Sequence, residues 1–188
     1  MRFIAVLDAN VLYPAPLRDL LMRLALADVF AARWSERIHD EWIRNVLKNR
    51  PDLTIEQLTK TKELMNSHIR DCLVLGHESL EAGLTLPDVD DRHVLAAAIK
   101  SNAQAIVTFN LKDFPESELD KYGVEAIHPD VFIQHQIDLN PGLVCQVVKH
   151  HRQALKNPPK TIADYLNTLE TCGLVVTVDI LRGFAENL

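Results

Sequence analysis

Two short, continuous apolar runs stand out along the chain, at residues 3–7 and 105–108. Apolar runs of this length, with no polar alternation, are typical of strands that are buried on both faces of a sheet. Asp8 follows the first run directly, and Asn110 and Asp113 come soon after the second. Ligands of open α/β sheets bind outside the carboxyl ends of the strands, so these polar residues stand where a site is expected.

Between the two runs, apolar residues recur at three- and four-residue spacing, which predicts helices. Ser35 is a suitable N-cap for the second helix, and Pro51 ends it. Thr54 and Gln57 form a capping-box pattern at the start of the third. The helices predicted in this part of the chain cover about residues 16–27, the segment from Ser35 to Pro51, residues 55–73 and the alanine-rich segment 94–99.

The order of these elements predicts a fold class. The alanine-rich helix leads into strand 105–108 through a short connection, and residues 124–127 predict a further short strand. Helices that alternate with strands after an N-terminal strand indicate an α/β fold with a parallel central sheet flanked by helices.

The pattern changes at Asn140-Pro141, because no further strand follows and proline is favourable at a first helical position. We therefore predict two domains, an α/β domain over residues 1–138 and an all-α extension over residues 139–188. The helical patterns of this extension cover about residues 141–156, 161–172 and 177–187.

Composition and charge limit the function classes. The 188 residues are 47% hydrophobic, which is enough for a substantial core, and the formal net charge is −6. No apolar stretch approaches the roughly 18 residues of a membrane span, so we expect a soluble, cytoplasmic protein without a membrane partner. An acidic total argues against nonspecific nucleic-acid binding by the whole surface, but not against a local basic face or a metal bridge to phosphate. The only concentrated basic stretch, residues 149–152, could touch RNA or form a solvated helix face.

Carboxylates at four places in this arrangement could meet at one edge of the sheet. Two carboxylates about 5 Å apart repel each other by roughly 3 kcal/mol at an effective dielectric constant of about 20, so such a group holds protons or binds cations. Hard oxygen ligands suit Mg²⁺ or Mn²⁺. The candidates are Asp8, Glu41, the cluster Asp88/Asp90/Asp91, and Asp113.

Each carboxylate also has a purely structural alternative. Glu41 lies at helical spacing from Arg37 and Arg44, which fits an exposed ion pair. Asp8 fits a loop cap, and Asp88 and Asp91 fit the N-cap and first turn of a helix. Asp113 fits a turn.

The four acidic places lie in four segments of the chain. The segments are Asp8-Ala9-Asn10-Val11-Leu12, Glu41 in its amphipathic helix, Asp90-Asp91-Arg92-His93-Val94-Leu95-Ala96-Ala97-Ala98, and Val107-Thr108-Phe109-Asn110-Leu111-Lys112-Asp113-Phe114. Taken together, these segments resemble the PIN-domain ribonucleases, and the VapC toxins of toxin–antitoxin pairs are the most similar group. The resemblance covers about residues 1–135 and implies a Rossmann-like PIN domain whose acidic pocket binds Mg²⁺ or Mn²⁺ and cuts RNA.

The resemblance also implies roles by position. Asp8 and Asp91 match the first and third acids, which usually hold the metal in this family. Glu41 matches the second acid and Asp113 a variable fourth, which makes them candidate catalytic residues and secondary metal ligands. Asn110 occupies a place where many relatives carry aspartate, so it is a supporting residue here.

Several side chains near these acids have open roles. Asp90 is a second candidate ligand beside Asp91, because a shift of one residue at a helix start rotates the side chain by about 100° and the sequence does not show which points inward. Asn10 and Thr108 could hydrogen-bond to the carboxylates or a bound water, or satisfy backbone groups. Arg92 could contact a phosphate or form an ion pair with a neighbouring aspartate.

The resulting hypothesis is a metal-dependent endoribonuclease, in the role of a toxin with a cognate antitoxin, and a homodimer. One alternative is a non-catalytic RNA-binding or scaffold PIN domain. Another is a haloacid-dehalogenase-like phosphohydrolase, but those enzymes usually need a second aspartate where this chain has Asn10. A response-regulator receiver would need an acidic pair and a phosphoacceptor aspartate that are not evident.

Overall fold

The computed structural model describes residues 2–188. Among these residues, no helix has both the length and the apolar composition that a membrane span requires. The strands and α-helices are β1 (Ile4–Leu7), α1 (Ala9–Leu12), α2 (Ala15–Leu26), β2 (Ala31–Arg33), α3 (Glu36–Asn49), α4 (Ile55–His68), α5 (Glu78–Glu81), α6 (Arg92–Lys100), β3 (Ala105–Val107), α7 (Glu116–Leu119), β4 (Glu125–Ile127), α8 (Pro129–Leu139), α9 (Pro141–Ala154), α10 (Ile162–Thr171) and α11 (Val175–Arg182).

The strands found in residues 2–188 form one parallel, four-stranded sheet with the order β2-β1-β3-β4. Val6 of β1 pairs with Arg33 of β2 on one side and with Ile106 of β3 on the other. The sheet and its flanking helices confirm the predicted α/β fold class. The two strands that end in candidate site residues, β1 and β3, are direct neighbours at the centre of the sheet.

The structure differs from the sequence-based prediction at β2 and at the end of α4. Strand β2 was not predicted, because Ala31-Ala32-Arg33 is short and alanine has a low strand propensity. Helix α4 was predicted to reach residue 73, but it ends at His68. Asp71 then takes the left-handed conformation, with φ of 54°, and Leu73 forms a parallel bridge with Trp34 instead of continuing the helix.

The chain forms two compact units, and the first contains the sheet. It comprises the chain up to Tyr13 together with Phe30–His128. Helix α6 packs against β1 and β3, and all of its residues from His93 to Ala98 are buried. This helix carries three alanines among nine residues, and small side chains allow close packing against the sheet.

The second unit comprises Pro14–Val29 and Pro129–Leu188, and helices α2 and α8–α11 belong to it. Helix α2 packs against α9 and α10, while α8 packs against α9 and α11. Asp130, which is buried, links two of these helices because its carboxylate accepts hydrogen bonds from the backbone N–H groups of Val176 and Thr177, each at 2.8 Å. These are first-turn N–H groups of α11 that lack a partner inside the helix.

A buried polar chain also joins α2, α9 and α10. His151 is 1% exposed, and its Nε2 lies 2.9 Å from a carboxylate oxygen of Asp19. Its Nδ1 lies 2.8 Å from the Tyr165 hydroxyl, and Asp19 also pairs with Arg23. His151 therefore belongs to the interior of this unit, so the basic stretch 149–152 does not form one continuous solvated face.

Candidate active site

Asp8 lies at the point where β1 ends and α1 begins, and only 5% of it is exposed. Its backbone N–H donates to the Val107 carbonyl of the neighbouring strand, at 3.1 Å. The backbone at Asp8 is extended, with ψ of 156°, and the next four residues are helical. The side chain therefore emerges at the carboxyl end of the sheet, where the sequence predicted a site.

Three hydrogen bonds hold the Asp8 carboxylate. Oδ1 accepts from the Ala9 backbone N–H at 2.7 Å, so Asp8 also caps α1. Oδ2 accepts from Asn10 Nδ2 at 2.7 Å and from Thr108 Oγ1 at 2.8 Å. Asn10 in turn accepts from the Phe109 backbone N–H through its Oδ1. Asn10 and Thr108 thus tie together the ends of β1 and β3 and orient the carboxylate between them.

Burial works against the charged form of the Asp8 carboxyl group. Burial raises the pKa of Asp8 above its ordinary value. The Thr108 hydroxyl and the Ala9 N–H act in the opposite direction, while the charge of Glu41 raises the pKa further. The result is a fixed, buried carboxyl group whose negative charge is costly.

After β3, a tight turn places two more of the predicted residues beside each other. The backbone N–H of Asn110 donates to Thr108 Oγ1 at 3.0 Å, and the Asn110 side-chain amide donates to Asp113 Oδ2. A short 3-10 helix, Leu111–Asp113, forms this turn. Asn110 therefore connects Asp113 to the same hydrogen-bonded group that holds Asp8.

Asp91 and Asp90 have different environments at the start of α6. The Asp90 side chain is 90% exposed and lies 3.8 Å from Arg37. Asp91 is half-buried, and its side chain makes no capping hydrogen bond at the start of α6. Asp88 fills that capping role one turn earlier, where it accepts from the Asp90 backbone N–H at 2.9 Å. Of the two residues, Asp91 is therefore the more buried and the one whose side chain does not cap the helix.

The pKa of Asp91 reflects its burial and its interaction with the other acids. Burial, followed by the charges of Asp8, Asp88, Asp113 and Glu41, raises the pKa of Asp91 to about 7. A carboxylate shifted this far above its ordinary value is close to half protonated at neutral pH. Such shifts are concentrated at functional sites, where like charges are held together.

Glu41 comes from the middle of α3 and contacts a histidine. His93 is fully buried, and its Nε2 lies 2.9 Å from Glu41 Oε1, without the alignment of a hydrogen bond. Arg37 lies one turn earlier on α3, 3.7 Å from the same oxygen, and also contacts Glu81 at 3.2 Å. His93 and Glu81 were not singled out from the sequence, because only the folded chain brings α5, α6 and α3 together.

A cavity of about 450 Å³ opens beside these acids. Its lining is polar and carries both signs of charge, with four carboxylates and two guanidinium groups. Arg92, which was expected to pair with a phosphate or a neighbouring aspartate, makes no ion pair among the described residues, and its Nε is buried without a hydrogen-bond partner there. The residues that line the cavity are Arg37, Asp40, Glu41, Arg44, Asp90 and Asp91.

The fold shows the predicted structural alternatives for three of these acids. Asp8 and Asp88 each cap a helix, and Glu41 pairs with Arg37. Asp8 and Asp91 are nevertheless coupled to the other acids through the electric field of the site. Capping and pairing therefore do not remove the excess negative charge that the sequence predicted here.

The donor set fits a hard divalent cation. All donors are carboxylate oxygens. Burial and then the charges of neighbouring acids raise the pKa values of Asp8 and Asp91, and a cation would stabilise their charged forms. Mg²⁺ is usually bound through one or two carboxylates, with waters and substrate phosphates as the other ligands. Within residues 2–188, no three His, Cys, Asp or Glu side chains are already arranged as a metal-binding group.

Comparisons with known proteins agree with this architecture. Residues 4–112 match the model of the PIN domain, and residues 129–183 match the VapC50 C-terminal domain. A curated protein of Mycobacterium tuberculosis (strain ATCC 25618 / H37Rv), named "Putative ribonuclease VapC50", is 43% identical over 79 residues. That alignment covers 42% of this chain and 47% of the relative, so it spans about half the length of the curated protein. No solved structure matches the chain. Since the PIN model covers more than half of the sequence, the chain belongs to the PIN domain family.

Proposed function

We propose that this protein is a divalent-metal-dependent endoribonuclease that hydrolyses RNA phosphodiester bonds. The observation that carries the proposal is a half-buried Asp91 that is electrostatically coupled to the other acids. Burial, followed by the charges of Asp8, Asp88, Asp113 and Glu41, raises its pKa to about 7. Membership of the PIN domain family and the ribonuclease name of the curated relative support the same chemistry.

In this proposal Asp8 and Asp91 hold Mg²⁺ or Mn²⁺. When bound, the cation stabilises charge on the phosphodiester and makes water more acidic.

Glu41 and Asp113 bind a second cation or orient the attacking water, and Asp90 is a secondary candidate metal ligand. Asn10 and Thr108 keep the Asp8 carboxylate in one orientation through their hydrogen bonds at 2.7 and 2.8 Å.

The decisive experiment compares the native protein with Asp8→Asn on total RNA in the presence of Mg²⁺ or Mn²⁺, with the cut ends mapped. We expect the substitution to abolish cleavage, because an amide has nearly the shape of the acid but no negative charge. Asp179→Asn, which neutralises an exposed aspartate of α11, is the matched control and is expected to cleave normally. Circular dichroism establishes that each variant is folded.

Undiminished cleavage by Asp8→Asn would overturn the assignment. RNA binding by the native protein without any metal-dependent cleavage would instead favour the alternative of a non-catalytic RNA-binding or scaffold PIN domain.

We further propose that the protein acts in the cytoplasm as the toxin of a toxin–antitoxin pair, with an antitoxin protein as partner and a homodimer as its assembly. The support is the VapC50 name of the relative and of the C-terminal family model. The test is expression of the protein alone and together with the neighbouring gene. Growth arrest that the neighbour relieves is the expected result; harmless expression with no copurifying partner would favour a housekeeping nuclease.

We also propose a division of labour in which residues 1–138 carry the nuclease chemistry and residues 139–188 form an extension with a separate role. The four acids that support the proposed chemistry all precede Phe114 in the sequence. The match of residues 129–183 to a separate family model is in keeping with a distinct C-terminal part.

A further inference from the structure

Three charged residues lie on one face of α3, because Arg37, Glu41 and Arg44 are separated by four and three positions. All three line the cavity beside the acids. The two arginines differ in what they contact. Arg37 is neutralised by three acidic groups, since it lies within 4 Å of oxygens of Glu41, Glu81 and Asp90.

Arg44 has no such partner. It is exposed, and it makes no ion pair or hydrogen bond through its side chain within residues 2–188. Within the described residues, Arg44 lines the cavity beside Asp40 and Glu41, which lie one turn earlier on α3, but it forms an ion pair with neither. A free guanidinium in that position is suited to an anionic ligand that also has to approach the carboxylates.

Arg44 also lines a second groove, of about 300 Å³, between α3 and α4. The walls of this groove are largely apolar, with Ile43, Leu47 and Ile55, the last of which is 48% exposed, and Asp40 and Thr59 are polar residues of the same lining. The only other cation in the lining, Lys62, is paired with Glu36 at 2.6 Å. Arg44 thus stands where the acidic cavity and the apolar groove meet.

We propose that Arg44 binds the RNA phosphate adjacent to the one that is cut, and that the groove between α3 and α4 receives the neighbouring nucleotide. This inference rests on the proposed function. A guanidinium binds phosphate through two parallel hydrogen bonds, and single-stranded RNA is held where cations follow its backbone and apolar surfaces meet its bases. Arg44 also offsets the repulsion that the acids would exert on an incoming polyanion.

The test uses Arg44→Gln in the full-length protein, with Arg70→Gln as the matched control, because Arg70 is exposed and lies outside both cavities. For a short oligoribonucleotide, we expect Arg44→Gln to lower kcat/KM about tenfold, mainly through KM. The slope of log(kcat/KM) against log[salt] should fall by about 1, as for the loss of one phosphate contact. Arg70→Gln should match the native protein in both quantities.

A second substrate separates a phosphate contact from a structural effect. In this oligoribonucleotide, a neutral methylphosphonate replaces the phosphate adjacent to the cut. The native protein should lose about tenfold in kcat/KM on this substrate, while Arg44→Gln should lose little more, because its contact is already gone. A full additional loss in the variant, or equal activity of native protein and variant on the ordinary substrate, would overturn the inference.

If no RNA is cleaved, the proposed function is contradicted, but the role of Arg44 can still be tested by measuring RNA binding. Fluorescence anisotropy then measures the affinity of the native protein and of Arg44→Gln for the labelled oligoribonucleotide. About tenfold weaker binding by the variant, absent in Arg70→Gln, supports the role of Arg44. Equal RNA binding by all three proteins overturns it and leaves a protein partner as the occupant of the groove.

Discussion

The Asp8 carboxyl group combines burial with a nearly complete set of hydrogen bonds. Burial alone favours its neutral form, whereas the bonds from Ala9, Asn10 and Thr108 favour the carboxylate. The balance leaves a raised pKa, with Thr108 as the largest opposing influence. Substitution of Thr108 therefore changes the pKa of Asp8 without any change to the Asp8 side chain.

We predict that Thr108→Val moves the acid limb of the cleavage pH profile to higher pH. Without the hydroxyl the pKa of Asp8 rises further, so a higher pH is needed to form the carboxylate. The loss also leaves the Asn110 backbone N–H without its side-chain acceptor, at a cost of about 1–3 kcal/mol. Thr108→Ser keeps the hydroxyl and should retain the native profile; an unshifted profile in the valine variant would contradict the prediction.

Asp91 gives a prediction about stability in the absence of metal. Its pKa is about 7 in the folded protein, against an ordinary value of 3.8, so its favourable contribution is complete below pH 3.8 and is lost as the pH rises through about 7. We expect Asp91→Asn to unfold at higher urea concentration than the native protein at pH 8 with EDTA. The gain is about 1 kcal/mol, because solvent screens a half-buried group.

At pH 4 the native protein and Asp91→Asn should have nearly equal stability. Asp90→Asn is the control, since that side chain is 90% exposed and lies outside the coupled group. A stability gain of the same size at both pH values would show that repulsion of a charged Asp91 is not the cause.

At the level of elements, sequence patterns predicted the central strands and the α3 and α4 N-termini well. Ser35 accepts from the Ile38 N–H, and Thr54 and Gln57 form the expected capping box. These signals are local, because a cap and its helix are neighbours in the sequence. Strand β2 was missed because its hydrogen bonds go to β1, nearly thirty residues away, and nothing in Ala31–Arg33 itself encodes that pairing.

The residues of the candidate site likewise fall into those that local sequence signals predicted and those that depend on contacts between distant segments. The positions of Asp8 and Asp113 followed from the ends of apolar strands, a local feature. The choice between Asp90 and Asp91 did not, because it depends on the rotation of a short 3-10 helix, Val89–Asp91. The contact of His93 with Glu41 and the free state of Arg44 depend on packing between distant segments, so no spacing rule could reveal them.

The polar chain between α2 and α9 gives an element-scale prediction. Burial raises the pKa of Asp19, but His151 and Arg23 outweigh this effect, so the pKa lies below its ordinary value. The stabilisation is therefore present above pH 3.8 and is lost as the pH falls through the lowered folded value. We expect Asp19→Asn to cost about 1 kcal/mol in urea unfolding at pH 7 and less at pH 3.

Asp179→Asn, an exposed aspartate in the same helical unit, serves as the control for the change in net charge. If both variants lose the same stability, the polar chain through His151 does not stabilise this unit.

For the whole molecule, the proposed function predicts stabilisation by divalent cations. Binding to the folded state alone contributes about 2.7 kcal/mol at a cation concentration of 100 Kd, which corresponds to a rise in Tm of several degrees. We expect Mn²⁺ to raise the Tm of the native protein at pH 7.5. Asp8→Asn should show a much smaller rise, and sodium chloride at equal ionic strength controls for screening of the net charge of −6. Equal shifts in native protein and variant would contradict cation binding by Asp8.

The two outer strands of the sheet, β2 and β4, have a consequence for behaviour at high concentration. Each is only three residues long, and each carries a charged residue, Arg33 and Glu125 respectively. Long, flat apolar edges are templates on which another chain can add a strand, and short charged edges oppose this. We therefore expect concentrated solutions of this protein to resist fibrous aggregation, and copies that associate to do so through their helices.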